Sequence, residues 1–228
     1  MGVSRAASPT TLFNPIGRPT NGVHLTGPFV EAWAFEVFHD ISEDPNNEFE
    51  LVNVEAQERL YMADIILQFK KNRKVDGAEV ESSVTSEVDV KATAEDFKDS
   101  GKSPNITSFA RIRTAYIEDP DYIFIILSLK HRVFSKRNEE SGLMDGIMEV
   151  VGHNAYDLKF LSSADLSYNP ALGTGQIQVR DIHYITLEKR TTWEFCQLLD
   201  RKFLKSKKRK FADWIALATR CEWIKTDE

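Results

Sequence analysis

Polar and apolar positions along the chain fall into two periods. VTSEVDVKAT, Val84 to Thr93, sets Glu87, Asp89 and Lys91 at alternate positions with valines between them. Period two predicts a strand with the three charged groups on one face and Val88 and Val90 against a core. FELVNVEAQ and YMADIILQF read as further strands. DPDYIFIILSLKHRVF becomes an almost unbroken, β-branched apolar run, which suits a central strand covered on both faces. GQIQVRDIHYITLEK alternates as one or two strands. Spacing of i, i+3, i+4 marks TTWEFCQLLDRKFL and FADWIALATRCEWI as amphipathic helices. TGPFVEAWAFEVFHDI, with Thr26 as N-cap and Pro28 in the first turn, has apolar groups around most of its circumference, so a well-buried helix is expected. SPNITSFARIRTAYI reads as a helix capped by Ser103 with Pro104 at its first position, and KKNRKVDGAEVESS as a polar connector around Gly77.

Strand, strand, helix, apolar strand is the order from Asp64 to Phe134, which predicts an α/β fold: a mixed central sheet with a crossover helix, flanked by helices. No repeat and no Gly- or Ser-rich linker divides the chain, so one domain spans residues 1–228. Within it we expect an extended arm at 1–25, a core at 26–134, and a more irregular part at 135–228. With 42% hydrophobic and 11% aromatic residues, 228 residues afford a substantial core. No apolar run approaches the ~18 residues of a membrane span, and the first fifteen residues lack the apolar stretch of a secretory signal. Cys196 and Cys221 are the only cysteines, which fits a reducing cytoplasm and leaves no Cys-based zinc site. The five histidines are scattered, and no GxxxxGK[ST] loop is present, so no nucleotide cofactor is expected.

The net charge of −6 argues on its face against a nucleic-acid partner. The charge is uneven, however. RKFLKSKKRK, Arg201 to Lys210, holds seven cations and no acid. Such a run binds phosphates through counterion release whatever the global sum.

The alternating charges raise a chemical question, because a lysine partly buried beside carboxylates is costly unless something uses the pairing. Upstream, Asp64 interrupts an apolar strand near its start. An acid at the start of one strand, Asp89-Val90-Lys91 within the next, then a helix and an apolar strand: this resembles the PD-(D/E)xK nuclease superfamily over roughly Thr26 to Phe134. Asp64 stands for the first acid, with Ala63 where the family often has Pro, and Asp76 in KVDGAE is a rival for that position. Glu31 in GPFVEAWAF matches the acid that many members carry on the first helix. The resemblance implies catalytic roles for Glu31, Asp64, Asp89 and Lys91, with Asp64 and Asp89 holding Mg²⁺. Paired carboxylates suit this hard cation, which keeps several waters, and a lysine suits the water or phosphate of phosphodiester hydrolysis. Glu87 is either an outer acid or solvent-facing.

The size and plan resemble type II restriction endonucleases. The resemblance therefore implies a Mg²⁺-dependent, site-specific deoxyribonuclease, homodimeric on a short palindrome in double-stranded DNA, in the cytoplasm and with no membrane partner. The other readings are a repair or recombination nuclease of the same fold and a non-catalytic DNA- or protein-binding α/β protein. Candidate DNA contacts are Asn169, Gln176, Gln178 and Arg180, whose side chains suit base edges. Ser108, Arg111 and Arg113 on the crossover helix suit phosphates, as do Lys207, Lys208 and Arg209.

Overall fold

The computed structural model describes residues 10–12, 27–58, 61–75, 78–171 and 173–224. Helix α1 (Gly27–Glu43) leads into strands β2 (Leu51–Ala56), β3 (Ile65–Val75) and β4 (Ala78–Ala94). After β5 (Asn105–Ser108) and α2 (Phe109–Glu118), the apolar run forms β6 (Ile123–Arg137), which returns as β7 (Met144–Asp157). Short β8 (Leu166–Asn169) and β9 (Gln176–Val179) precede α3 (Thr192–Leu204) and α4 (Phe211–Arg220). Of the expected N-terminal arm, only β1 (Thr10–Leu12) is described; the rest of it, with the Thr26 cap, lies outside the described residues.

The main sheet has the order β1-β7-β6-β4-β3-β2. β4 and β6 run parallel, joined by the α2 crossover, and every other pairing in this sheet is antiparallel. A mixed central sheet flanked by helices is therefore the fold. A smaller sheet, β5-β9-β8, packs with α2 and α3 on one face of the main sheet, around Phe109, Tyr116, Phe124 and Phe195. The opposite face carries Val88, Val90, Leu127 and Leu129, with α1 across it.

Four expectations are corrected. The segment SPNITS is not helical: Ile106 and Thr107 are buried in β5, which pairs with β9, and α2 begins only at Phe109. β-branched side chains fit that half-buried strand better than a helix turn. Ser103 sits at φ +50° and caps nothing, while the carbonyl of Gly175 accepts the Phe109 N–H at 3.0 Å. Gly175 is required there, because its φ is +90° and a Cβ would collide with the Tyr168 ring.

The polar connector is instead a ribbon, since β3 and β4 pair without a break from Ile65↔Val88 to Val75↔Ala78. Cross-strand pairs such as Lys70–Glu81, 3.0 Å apart, stand where apolar alternation is missing. In GQIQVRDIHYITLEK only Gln176–Val179 is a strand; beyond it Asp181 Oδ1 accepts the His183 N–H at 2.9 Å and turns the chain. Finally, α1 is not well buried. Only Val30 and Ala34 are fully covered, and Phe29 is 47% exposed.

Candidate active site

β3 begins one residue after Asp64, and the Asp64 N–H donates to the Val88 carbonyl at 3.0 Å. The first acid is thereby held at the neck between β3 and β4. Its Oδ2 accepts the Val90 N–H at 2.6 Å, a charge-assisted bond that fixes the carboxylate beside the neighbouring strand. Sequence reasoning missed this amide, although its residue lies between the two motif positions Asp89 and Lys91. Asp76 lies outside the described residues. Its neighbour Val75 is ten residues along β3 from Ile65, about 33 Å at strand rise.

Alternation along β4 points Asp89 and Lys91 to the face shared with Ile126 and Ser128 of β6, their register partners. The Lys91 Nζ donates to Asp89 Oδ1 at 2.7 Å. Asp89 is 5% exposed, and its other oxygen, Oδ2, is buried with no hydrogen-bond donor. Burial pushes the Asp89 carboxyl up to about 7; the Lys91 charge and hydrogen bond oppose this, while the Asp64 and Glu31 carboxylates add to it. Glu31, on the first turns of α1, is raised too, by burial first and then by Asp64, with Lys91 opposing. Three acids and one lysine thus share one field. The side chain of Ser128, opposite Lys91, is also buried, with a hydroxyl that has no protein partner, and the sequence carried no signal for it.

This donor set fits a hard divalent cation. A buried carboxylate oxygen without a donor, next to two more carboxylates, leaves an excess of acid that the single Lys91 ammonium only partly offsets. Among the described residues no three His, Cys, Asp or Glu side chains form a ready-made cage. Mg²⁺ does not need one, because it binds through one or two carboxylates and keeps its waters. Glu87 lies farther along the same strand face: it lines a groove with Tyr61, Met62 and Arg111 on the α2 side, and it adds a hydrogen bond and its charge to the burial that raises the Tyr122 phenol.

Residues 14–222 match the family described as type II restriction endonuclease HpaI. The chain belongs to that family. It is a type II restriction endonuclease, a sequence-specific DNA endonuclease. The type II restriction enzyme HpaI of Haemophilus parainfluenzae is 57% identical over 210 residues, 92% of this chain and 80% of that protein. Among solved structures, the NlaIV restriction endonuclease aligns over 95% of this chain and 80% of its own length, at TM-score 0.47 and 12% identity.

The candidate DNA contacts of this endonuclease divide sharply. Arg113 is 3% exposed, and its Nε and Nη2 donate to the two oxygens of Asp200 at 2.7 and 2.9 Å. Its guanidinium lies 4.1 Å from the Trp223 ring centre. It ties helices together and presents no cation to DNA, which corrects its assignment as a phosphate contact. Arg209 is engaged as well, through Tyr168 Oη at 2.8 Å and the Gly173 carbonyl at 2.8 Å. Ser108 is hydrogen-bonded to Thr174 at 3.0 Å, and Asn169 Oδ1 accepts the Ala171 N–H at 3.0 Å. Gln176 and Gln178 are half-buried on β9, where Gln178 donates to the Ser103 carbonyl at 3.2 Å. Arg111, Arg180, Lys207 and Lys208 are exposed. Arg180 and Lys205 lie close enough to Lys202 to help burial lower its ammonium pKa, which marks a local excess of positive charge. No described helix is long and apolar enough to cross a membrane.

Proposed function

We propose that this restriction endonuclease hydrolyses phosphodiesters with a divalent cation, Mg²⁺ by its chemistry, held by Asp64 and Asp89 with Glu31 beside them. One observation carries the reading: the buried, donorless Oδ2 of Asp89 next to two other carboxylates, while its Oδ1 grips Lys91. When bound, the cation lowers the pKa of water and polarises the phosphate.

The chain's own residues do the rest. The Val90 amide keeps Asp64 from swinging away from Asp89. Asp89 holds the Lys91 ammonium on the sheet face at 2.7 Å. A fixed ammonium there orients the attacking water and offsets negative charge as it grows on the phosphate, at no reorganisation cost during reaction. Glu31 adds a third carboxylate to the field of Asp64 and Asp89.

Cutting both strands at a palindromic site calls for two such centres. We read the working form as a two-fold homodimer on double-stranded DNA, acting in the cytoplasm, each chain a single nuclease domain. Single-turnover cleavage of a cognate duplex, with DNA binding measured in Ca²⁺, tests the assignments. Lys91→Ala lowers the cleavage rate by about 10²–10³-fold or more while binding survives. Lys91→Arg does not rescue it, since a planar guanidinium cannot replace a compact ammonium. Asp64→Ala abolishes cleavage, and Glu87→Gln is mild. Full activity in Asp64→Ala, or a Glu87 effect larger than that of Lys91, sinks the assignment.

A further inference from the structure

On the sheet face that carries the acids, neighbouring strands set Lys91 of β4, Ser128 of β6 and Asn154 of β7 in one row, as partners in register. Side chains in such a row lie side by side, so the Ser128 hydroxyl stands next to the Lys91 stem. β3, which Asp64 precedes, is on the other side of β4, because the sheet runs β6-β4-β3. Lys91 thus has Asp64 toward one flank, Asp89 before it on its own strand, and a serine on the other flank.

Ser128 is 1% exposed, and its Oγ is buried without a hydrogen-bond partner, Asn154 included. A hydroxyl rotates to meet whatever donor or acceptor is in reach, and one left unpaired in a buried place costs stability. Thr93, two residues beyond Lys91 on the same face and buried as deeply, meets that need through the Leu129 carbonyl at 3.3 Å. Ser128 does not. Its oxygen lies one strand over and two residues on from another buried oxygen without a partner, Asp89 Oδ2.

We propose that Ser128 is a positioning residue of the cleavage reaction: its hydroxyl accepts a hydrogen bond from the Lys91 ammonium when Asp89 turns to a cation. The inference rests on the cation reading above and adds to it a residue from a further strand. In the metal-free protein the ammonium is anchored on Asp89 Oδ1 at 2.7 Å. A divalent cation at the same carboxylate repels that ammonium and competes for the oxygen. The ammonium has three donors and stays on the sheet face only if another acceptor takes one of them. Ser128 offers that acceptor on the flank away from Asp64, and it is neutral, so it adds nothing to the crowding of acids. The Lys91 side chain is partly open to solvent, which leaves its remaining donors to the water and the phosphate. Alanine would pack in the same place without an unpaired oxygen, so the hydroxyl answers to the reaction and not to the core.

Ser128→Ala in the full chain tests this by melting, by DNA binding in Ca²⁺ and by single-turnover cleavage. Without metal, its melting temperature should equal or exceed that of the wild type, because an unpaired buried hydroxyl is gone. The Ca²⁺ concentration that gives half of the thermal stabilisation should rise by about threefold or more. DNA affinity in saturating Ca²⁺ should be kept, while the maximal cleavage rate falls by about tenfold or more. Added to Lys91→Ala, the serine change should lower the rate by less than about twofold, since a residue that acts through Lys91 then has nothing to position. A fall in the metal-free melting temperature makes Ser128 a structural hydroxyl, and fully additive losses in the double variant place its action elsewhere; either result overturns the proposal. So does a Ser128→Ala chain with the wild-type Ca²⁺ response and cleavage rate, which leaves the cation reading standing. A wild type that gains no stability from Ca²⁺ removes the cation reading, and this proposal with it.

Discussion

On the face of the main sheet covered by α2 and α3, Phe109 stacks on Phe203 at 4.8 Å between ring centres, and Tyr116 meets Phe195 edge-on at 5.1 Å. Asp200 closes that side. It accepts from Arg113 and also from the Trp214 indole at 2.8 Å, while Trp223 donates to Thr114 at 2.8 Å. Three helices are thus fastened over one strand layer. Among the described residues, the α1 face has side chains of the same apolar kind but one helix across it, and that helix buries two residues fully. Hydrophobic content does not separate the two faces. What separates them, among the described residues, is how many elements finish the layer. The face crossed by three helices is the scaffold for Asp89 and Lys91; on α1 itself Phe29 stays 47% exposed.

Truncations on the two faces should therefore differ. Phe195→Ala, in the finished face, should cost about 3–5 kcal/mol in urea unfolding. Trp33→Ala, at a half-buried position, should cost less than half of that. Equal costs would break the comparison. Arg113→Ala should also destabilise, by about 1–3 kcal/mol, since it leaves the half-buried Asp200 carboxylate with the Trp214 indole as its remaining donor. The folded fraction should bind DNA with an unchanged salt slope, which separates a helix tie from a phosphate contact.

Arg113 also shows where reading the sequence stops. Its partner lies 87 residues downstream, and nothing local distinguishes it from Arg111, two positions earlier and exposed. The opposite holds for Asp89 and Lys91: period-two alternation is a local property, so their shared face was visible from ten residues. The β4–α2–β6 crossover was visible for the same reason, as a switch of period followed by an apolar run. β7 was not, because Met144–Asp157 mixes Gly146, Gly152 and charges and takes its strand form from pairing with β6. α1 misled in a different way. An apolar circumference predicts full cover, whereas among the described residues only Val30 and Ala34 of α1 are fully buried.

A smaller effect comes from the buried acid itself. Asp89 has a folded pKa of about 7 against an ordinary carboxyl near 4, so the folded metal-free protein binds its proton more tightly than the unfolded chain does. That contribution is fully present below about pH 4 and is lost as pH rises to about 7. Asp89→Asn carries no such charge. Its stability advantage over the metal-free wild type should be absent below about pH 4, open between about 4 and 7, and level off above. Adding Ca²⁺ above pH 7 should stabilise the wild type and not the variant. Thermal melts across that range check both. An advantage that grows toward low pH would place the wrong sign on the pocket.

The smallest expected change concerns the basic run, where neighbouring residues play different parts. Lys207 and Lys208 are exposed, whereas Arg209 bonds Tyr168 and the carbonyls of Pro170 and Gly173, pinning the turn after β8. Lys207→Gln/Lys208→Gln should leave the melting temperature unchanged. It should reduce the magnitude of the log–log salt slope for duplex binding by about 0.9 for each phosphate that is no longer neutralised, equally on cognate and non-cognate DNA. Arg209→Gln should do the reverse. The slope stays near that of the wild type, while the melting temperature falls and cognate preference narrows, because the turn that carries Asn169 and braces Ser108 through Thr174 is left without its anchor. Binding isotherms at several salt concentrations separate the two. If Arg209→Gln lowers the slope by as much as removing one of the lysines does and leaves stability intact, its bonds to the turn are incidental and it belongs with the lysines.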